Sequence, residues 1–129
     1  MSTNLSGDPQ RETLTTIERF NEAFNRHDVD TIMSLMTEDC VFENTSPGPD
    51  GSRYQGAQAV RAFWEGFFKD SPQAHFDYED VFANGDRAVV RWLYRWGPDT
   101  ENAPGHIRGV DVFRVINGRV AEKLSYVKG

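Results

Sequence analysis

From Thr13 onward the apolar residues Leu14, Ile17, Phe20, Ala23 and Phe24 recur every three or four positions. That spacing predicts one amphipathic helix ending near His27 and Asp28, with His27 closing it. The segment VDTIMSLMTED then predicts a second short helix with Val29, Ile32, Met33, Leu35 and Met36 turned inward. Asp28 stands where its N-cap belongs. CVFENT changes to strand-forming residues, and SPGPDG breaks the chain with Pro47, Gly48, Pro49 and Gly51. A third helix is predicted after Gly56, with Val60, Phe63, Trp64, Phe67 and Phe68 on one face and Pro72 beyond its end.

The remainder alternates with period two. HFDYEDVFA, DRAVVRWLYRW, HIRGVDVFRVI and RVAEKLSYVK read as four strands. Asn84-Gly85 and Asn117-Gly118 are hairpin signals, and the loop GPDTENAPG joins the middle pair. The order α-α-β-α-β-β-β-β implies an α+β fold, with the helices packed on one face of a curved, mostly antiparallel sheet. Residues 1–10 are polar, carry Gly7 and Pro9, and are expected to form a flexible tail, leaving 11–129 as a single domain.

Composition narrows the picture. Hydrophobic residues make up 38% and aromatics 12% of 129 residues, enough for one packed core. The formal charge is −6 with the acids scattered, which disfavours a nucleic-acid surface. Cys40, the single cysteine, excludes an internal disulfide and reads as a buried small hydrophobe. No apolar run approaches the ~18 residues of a membrane span, and MSTNLSGDPQ has no signal-peptide core, so no membrane association and a cytoplasmic location are expected.

Three stretches then point to a family. FNRHDVDTIMSLMTEDCVFE, the G-x-x-A-V-R-x-F-W run from Gly56 to Trp64, and the hairpin VDVFRVINGRVAEKLSYV together resemble the nuclear transport factor 2-like superfamily, which includes SnoaL-like polyketide cyclases and ketosteroid isomerases. The likeness covers about residues 12 to 128. It implies a cone-shaped α+β barrel, in which three N-terminal helices cap a curled sheet over a deep apolar pocket, and a homodimer formed through the outer sheet face. Fold alone does not fix the reaction. Ketosteroid isomerase uses an oxyanion-stabilising acid, a helix tyrosine and a base aspartate. By the resemblance these positions fall at Asp111, Phe20 and Asn44, so the acid is kept while the hydroxyl and the base are absent.

Asp111 is the residue that the strand pattern explains least, because strands avoid Asp. Alternation places it on one face with Gly109, Phe113 and Val115, which favours the interior. It is either an acid held by backbone or cross-strand partners or facing solvent, or a pocket acid whose ionisation its apolar neighbours tune. Its neighbour depends on the Asn117-Gly118 turn. A two-residue turn puts Leu124 opposite Asp111, whereas a three-residue loop with Gly118 in a bulge puts Lys123 there. The resemblance supports the second register and an ionised Asp111–Lys123 pair, which argues against Asp111 as a neutral hydrogen-bond donor.

In RWLYRW, Trp92, Tyr94 and Trp96 alternate with Arg91, Leu93 and Arg95. Trp92 and Tyr94 are either ordinary core or pocket walls. Because rings and charges oppose each other, no nucleic-acid strip forms. Asn44 either meets a ligand or opens the NTSPGPDG loop as an Asx turn. His27, His75 and His106 lack metal-ligand spacing, and no G-x-G-x-x-G follows a strand, so no metal, nucleotide or other cofactor is expected. The expected partner is a hydrophobic, carbonyl-bearing small molecule. Asp111 would be catalytic, with Asn44, Trp92, Tyr94, Phe113, Phe20 and Lys123 binding the ligand. The activities in view are isomerase, cyclase, lyase or hydrolase; the alternative is a ligand-binding or dimerisation domain without chemistry.

Overall fold

The computed structural model describes residues 8–96 and 105–128. Helix α1 spans Pro9–Asn25, capped by the Asp8 side chain, which accepts from the Gln10 and Arg11 backbone N–H groups. Pro9 stands at the start, where a missing N–H costs nothing. Residues 9 and 10 therefore belong to a helix and not to a tail, while 1–7 and the 97–104 part of the predicted loop lie outside the described residues. Arg26 caps the end of α1, and His27 follows with φ 57°. Its Nε2 is 2.7 Å from the Ala74 carbonyl oxygen, and its ring stacks on Phe68.

Helix α2, Val29–Ser34, is shorter than the periodicity predicts. Leu35 and Met36 continue the helical spacing, yet the chain turns at Leu35 and strand β1, Met36–Glu43, begins. Pairing decides this boundary: the Val120 N–H donates to the Leu35 carbonyl at 2.7 Å, and Met36 stands beside Val120 in a parallel ladder. Strand β2, Arg53–Gln55, was not expected. It has three residues, too few to show a period, and exists as the antiparallel partner of Val41–Glu43. Helix α3 covers Ala57–Asp70.

Strands β3 (His75–Asn84), β4 (Arg87–Trp96), β5 (Gly105–Ile116) and β6 (Arg119–Val127) form an antiparallel meander. The sheet order is β2-β1-β6-β5-β4-β3, with the β1–β6 pair parallel. The sheet is curved, unclosed and mostly antiparallel, and the helices cover one face, as the α+β expectation requires. Ile17, Phe20, Val60, Trp64, Phe113 and Val120 are almost wholly buried between the two layers. Cys40 is buried as well, and desolvation pushes its thiol above the ordinary range. No helix of the described residues is long and apolar enough to cross a membrane.

Candidate active site

Asp111 leaves the middle of β5 toward the helices, with Val90 of β4 on one side and Ser125 of β6 on the other. Neither expected register holds. Asn117 and Gly118 both have positive φ, 52° and 75°, and form a two-residue turn that pairs Ile116 with Arg119 and Val115 with Val120. A bulge at Ala121 then adds one residue to β6, so Arg114 faces Glu122, Phe113 faces Lys123 and Asp111 faces Ser125. Lys123 and Ser125 are two apart and share the inner face. Both therefore reach Asp111.

The three side chains close into one cluster. Lys123 Nζ lies 3.3 Å from Asp111 Oδ2, the side chains being only 10% and 6% exposed. Ser125 Oγ donates to Asp111 Oδ1 at 2.6 Å and accepts from Lys123 Nζ at 3.3 Å. The ammonium also stands over two rings, 4.8 Å from the Phe42 centroid and 5.4 Å from that of Phe24. Each contact of that kind contributes about 0.5–2 kcal/mol.

The cluster forms one wall of a cavity of about 240 Å³. The sheet supplies Phe42, Phe76, Trp92, Tyr94 and Ile107 to its lining, and α1 supplies Phe24. Helix α3 contributes Phe63, Trp64 and Phe67, three successive members of its apolar face. The α1 end is tied to the sheet by Asn25, whose side chain both donates to and accepts from the Phe76 backbone at 2.9 Å. Asn44, Thr45 and Ser46 complete the lining at the end of β1.

Of the expected ligand contacts, the structure brings Asn44, Trp92, Tyr94 and Lys123 to this cavity together with Asp111. Phe20 and Phe113 do not line it: both are fully buried, and their rings meet edge-to-face at 5.6 Å in the core. Asn44 also has a structural task. Its Oδ1 accepts from the Ser52 N–H at 2.8 Å, and its own N–H donates to the Ser52 carbonyl, closing the proline-rich loop. Gly51 makes that closure possible, since it has φ +75° and a Cβ there would overlap the Asn44 carbonyl.

Sequence reasoning missed three residues. Ser125 becomes visible only once the bulge sets the register. Gly109, which interrupts β5, leaves the space that the Trp92 indole occupies; a Cβ on it would come within 2.6 Å of that ring. Tyr78 lies beside Trp92 in the β3–β4 pair, and its hydroxyl donates to the Asn21 carbonyl at 3.5 Å. Burial, with the Asp111 charge adding to it, pushes the Tyr78 phenol far above its ordinary value. Alternation with Phe76 in HFDYEDVFA was the available signal for it. Among the described residues no three His, Cys, Asp or Glu side chains converge in a metal-binding arrangement.

Known proteins share this fold. The model of the SnoaL-like domain family matches residues 17–123. A nuclear transport factor 2-like protein of unknown function from Mesorhizobium loti is 39% identical, with 95% of each chain covered and a TM-score of 0.81. A candidate polyketide cyclase from Sinorhizobium meliloti is 20% identical over 87% of this chain and 94% of its own, with a TM-score of 0.72. A candidate ketosteroid isomerase from Kribbella flavida is 16% identical over 95% of this chain and 82% of its own, at a TM-score of 0.77. These last two likenesses show the fold alone. A comparison with curated proteins finds no match.

Proposed function

The chain belongs to the SnoaL-like domain family, and from that premise we propose that it is a cofactor-independent acid/base catalyst acting on a hydrophobic, carbonyl-bearing small molecule. The observation that carries this reading is the Asp111–Lys123–Ser125 cluster on the wall of an otherwise aromatic cavity. A carbonyl oxygen and its α-carbon are roughly 2.4 Å apart by ordinary bond lengths. The Asp111 Oδ2 to Lys123 Nζ distance of 3.3 Å is of similar span. A ketone placed against both groups would have its oxygen at the ammonium and an α-hydrogen near the carboxylate.

In the proposed step the Asp111 carboxylate takes the α-proton, and the electron pair of the C–H bond becomes the enolate. The enolate oxygen accepts a hydrogen bond from Lys123, and Ser125 holds Asp111 in place by its 2.6 Å bond. Return of the proton to a different carbon gives an isomer; attack of the enolate on a second carbonyl gives a ring. Phe20 and Asn44, where the resemblance would place a donor and a base, leave both roles to this cluster.

A second reading, ligand binding without chemistry, is favoured by the engagement of both Asp111 oxygens, one by Lys123 and one by Ser125. The two readings separate in α-hydrogen exchange. Cyclohexanone, 1-tetralone and a four-ring steroid enone are incubated with the protein in D2O and followed by proton NMR. Catalysis predicts exchange at least tenfold above buffer for one of them, lost in Asp111→Asn. Buffer-level exchange for all three overturns the catalytic reading, and an Asp111→Asn variant as fast as the parent removes Asp111 from the step.

A further inference from the structure

We propose that the cavity is selective for a neutral, hydrogen-bond-accepting molecule of one or two rings and excludes both carboxylates and four-ring skeletons. This rests on the small-molecule reading above and narrows it to a ligand class.

Charge excludes acids. Asp111 and Lys123 cancel within the cavity wall, and among the described residues no other charged side chain lines the cavity. A carboxylate ligand would enter aromatic surroundings where the ammonium is already matched. It would have to displace Asp111 and leave that charge buried without a partner, which is strongly unfavourable. A neutral ligand meets no such cost.

Hydrogen-bond valence favours an acceptor. An ammonium has three donors. Ser125 accepts one from Lys123 and Asp111 meets the ammonium as an ion pair, while no further hydrogen-bond acceptor for it is present among the described residues. Trp92, which lines the same cavity and is 4% exposed, carries a buried indole N–H with no acceptor. Ser125 spends its proton on Asp111. The surplus in this wall is of donors, and the complement of a donor is an oxygen acceptor such as a ketone.

Size sets the upper limit. About 240 Å³ is smaller than the roughly 300–1,000 Å³ of drug-sized sites, whereas an apolar cavity of about 150 Å³ holds benzene. One or two rings fill such a volume, against a wall that Phe42, Phe63 and Phe67 help to form. A steroid skeleton does not.

The experiment is calorimetric titration of the full chain with four probes: 1-tetralone, tetralin, 1-naphthoate and a four-ring steroid dione. The expected result is saturable binding of 1-tetralone, at least tenfold weaker binding of tetralin, and no saturable binding of naphthoate or steroid. Lys123→Met should then bind 1-tetralone and tetralin alike. Naphthoate binding as tightly as 1-tetralone overturns the neutrality argument. Equal affinity for steroid overturns the size argument, and no binding of 1-tetralone overturns the ligand class. Binding of 1-tetralone without α-hydrogen exchange defeats the catalytic reading while the ligand class stands. Exchange on the steroid enone without 1-tetralone binding does the reverse.

Discussion

Replacing Lys123 by Met tests whether the cluster is held together by charge. Met keeps the apolar stem against Phe24 and Phe42 but removes the ammonium that stands 3.3 Å from Asp111. Asp111, 6% exposed, is left with the Ser125 hydroxyl as its only side-chain hydrogen-bond partner among the described residues. Breaking a buried pair in this way costs about 3–5 kcal/mol. Met packing in the aromatic pocket returns about 1 kcal/mol of that. A net loss of about 3 kcal/mol is expected, or about 10 °C in Tm for a domain of this size. Adding Asp111→Leu should restore stability to within about 1 kcal/mol of the parent, because an apolar pair replaces the stranded charge. Urea unfolding of the parent, both single variants and the double variant gives the coupling energy, provided the slope of stability on urea is unchanged. Coupling below about 1 kcal/mol would refute the charge-paired cluster.

The remaining expectations concern the surroundings of the site. Tyr78 has its phenol raised in the folded state, so the stability it contributes is complete below its unfolded value of about 10 and lost as pH rises beyond it. Tm should fall steeply above about pH 10 in the parent and less in Tyr78→Phe; superposable melting curves would contradict the assignment. Gly109→Ala should cost about 2 kcal/mol by urea midpoint, since its Cβ overlaps the Tyr126 carbonyl and crowds Trp92. A variant within 0.5 kcal/mol of the parent, on the order of measurement scatter, would show that both the Tyr126 backbone and the indole give way freely. On the outer sheet face Val89, Val112 and Leu124 are lateral neighbours across three strands, with Tyr126 exposed nearby. Analytical ultracentrifugation is expected to give dimer mass at micromolar concentration and monomer mass for Val112→Arg. Monomer mass for the parent would remove the dimer proposal.

Helical and strand periods were legible wherever one face of an element is buried. The Phe63, Trp64 and Phe67 face of α3 and the alternation in β4 could be read because burial imposes the period. What could not be read was decided by partners far along the chain. The Leu35–Met36 boundary is set by Val120, more than eighty positions away, and β2 by three residues of β1. Local spacing carries no record of either.

The last hairpin shows how a wrong register can still bring the right side chains together. The expected registers placed Leu124 or Lys123 opposite Asp111, and the bulge at Ala121 places Ser125 there. A slip of one residue would have turned Leu124 inward and Lys123 outward, exchanging an ionic wall for an apolar one. The observed ladder differs from the Lys123 register by two residues, which preserves the face. Asp111 therefore meets Lys123 diagonally and Ser125 directly, and the second contact could not be anticipated without the bulge. Strict alternation along β6 would set Val120 and Lys123 on opposite faces, and the bulge at Ala121 is what lets both be buried. That one extra residue both makes the cavity wall ionic and supplies the hydroxyl that fixes the orientation of the carboxylate.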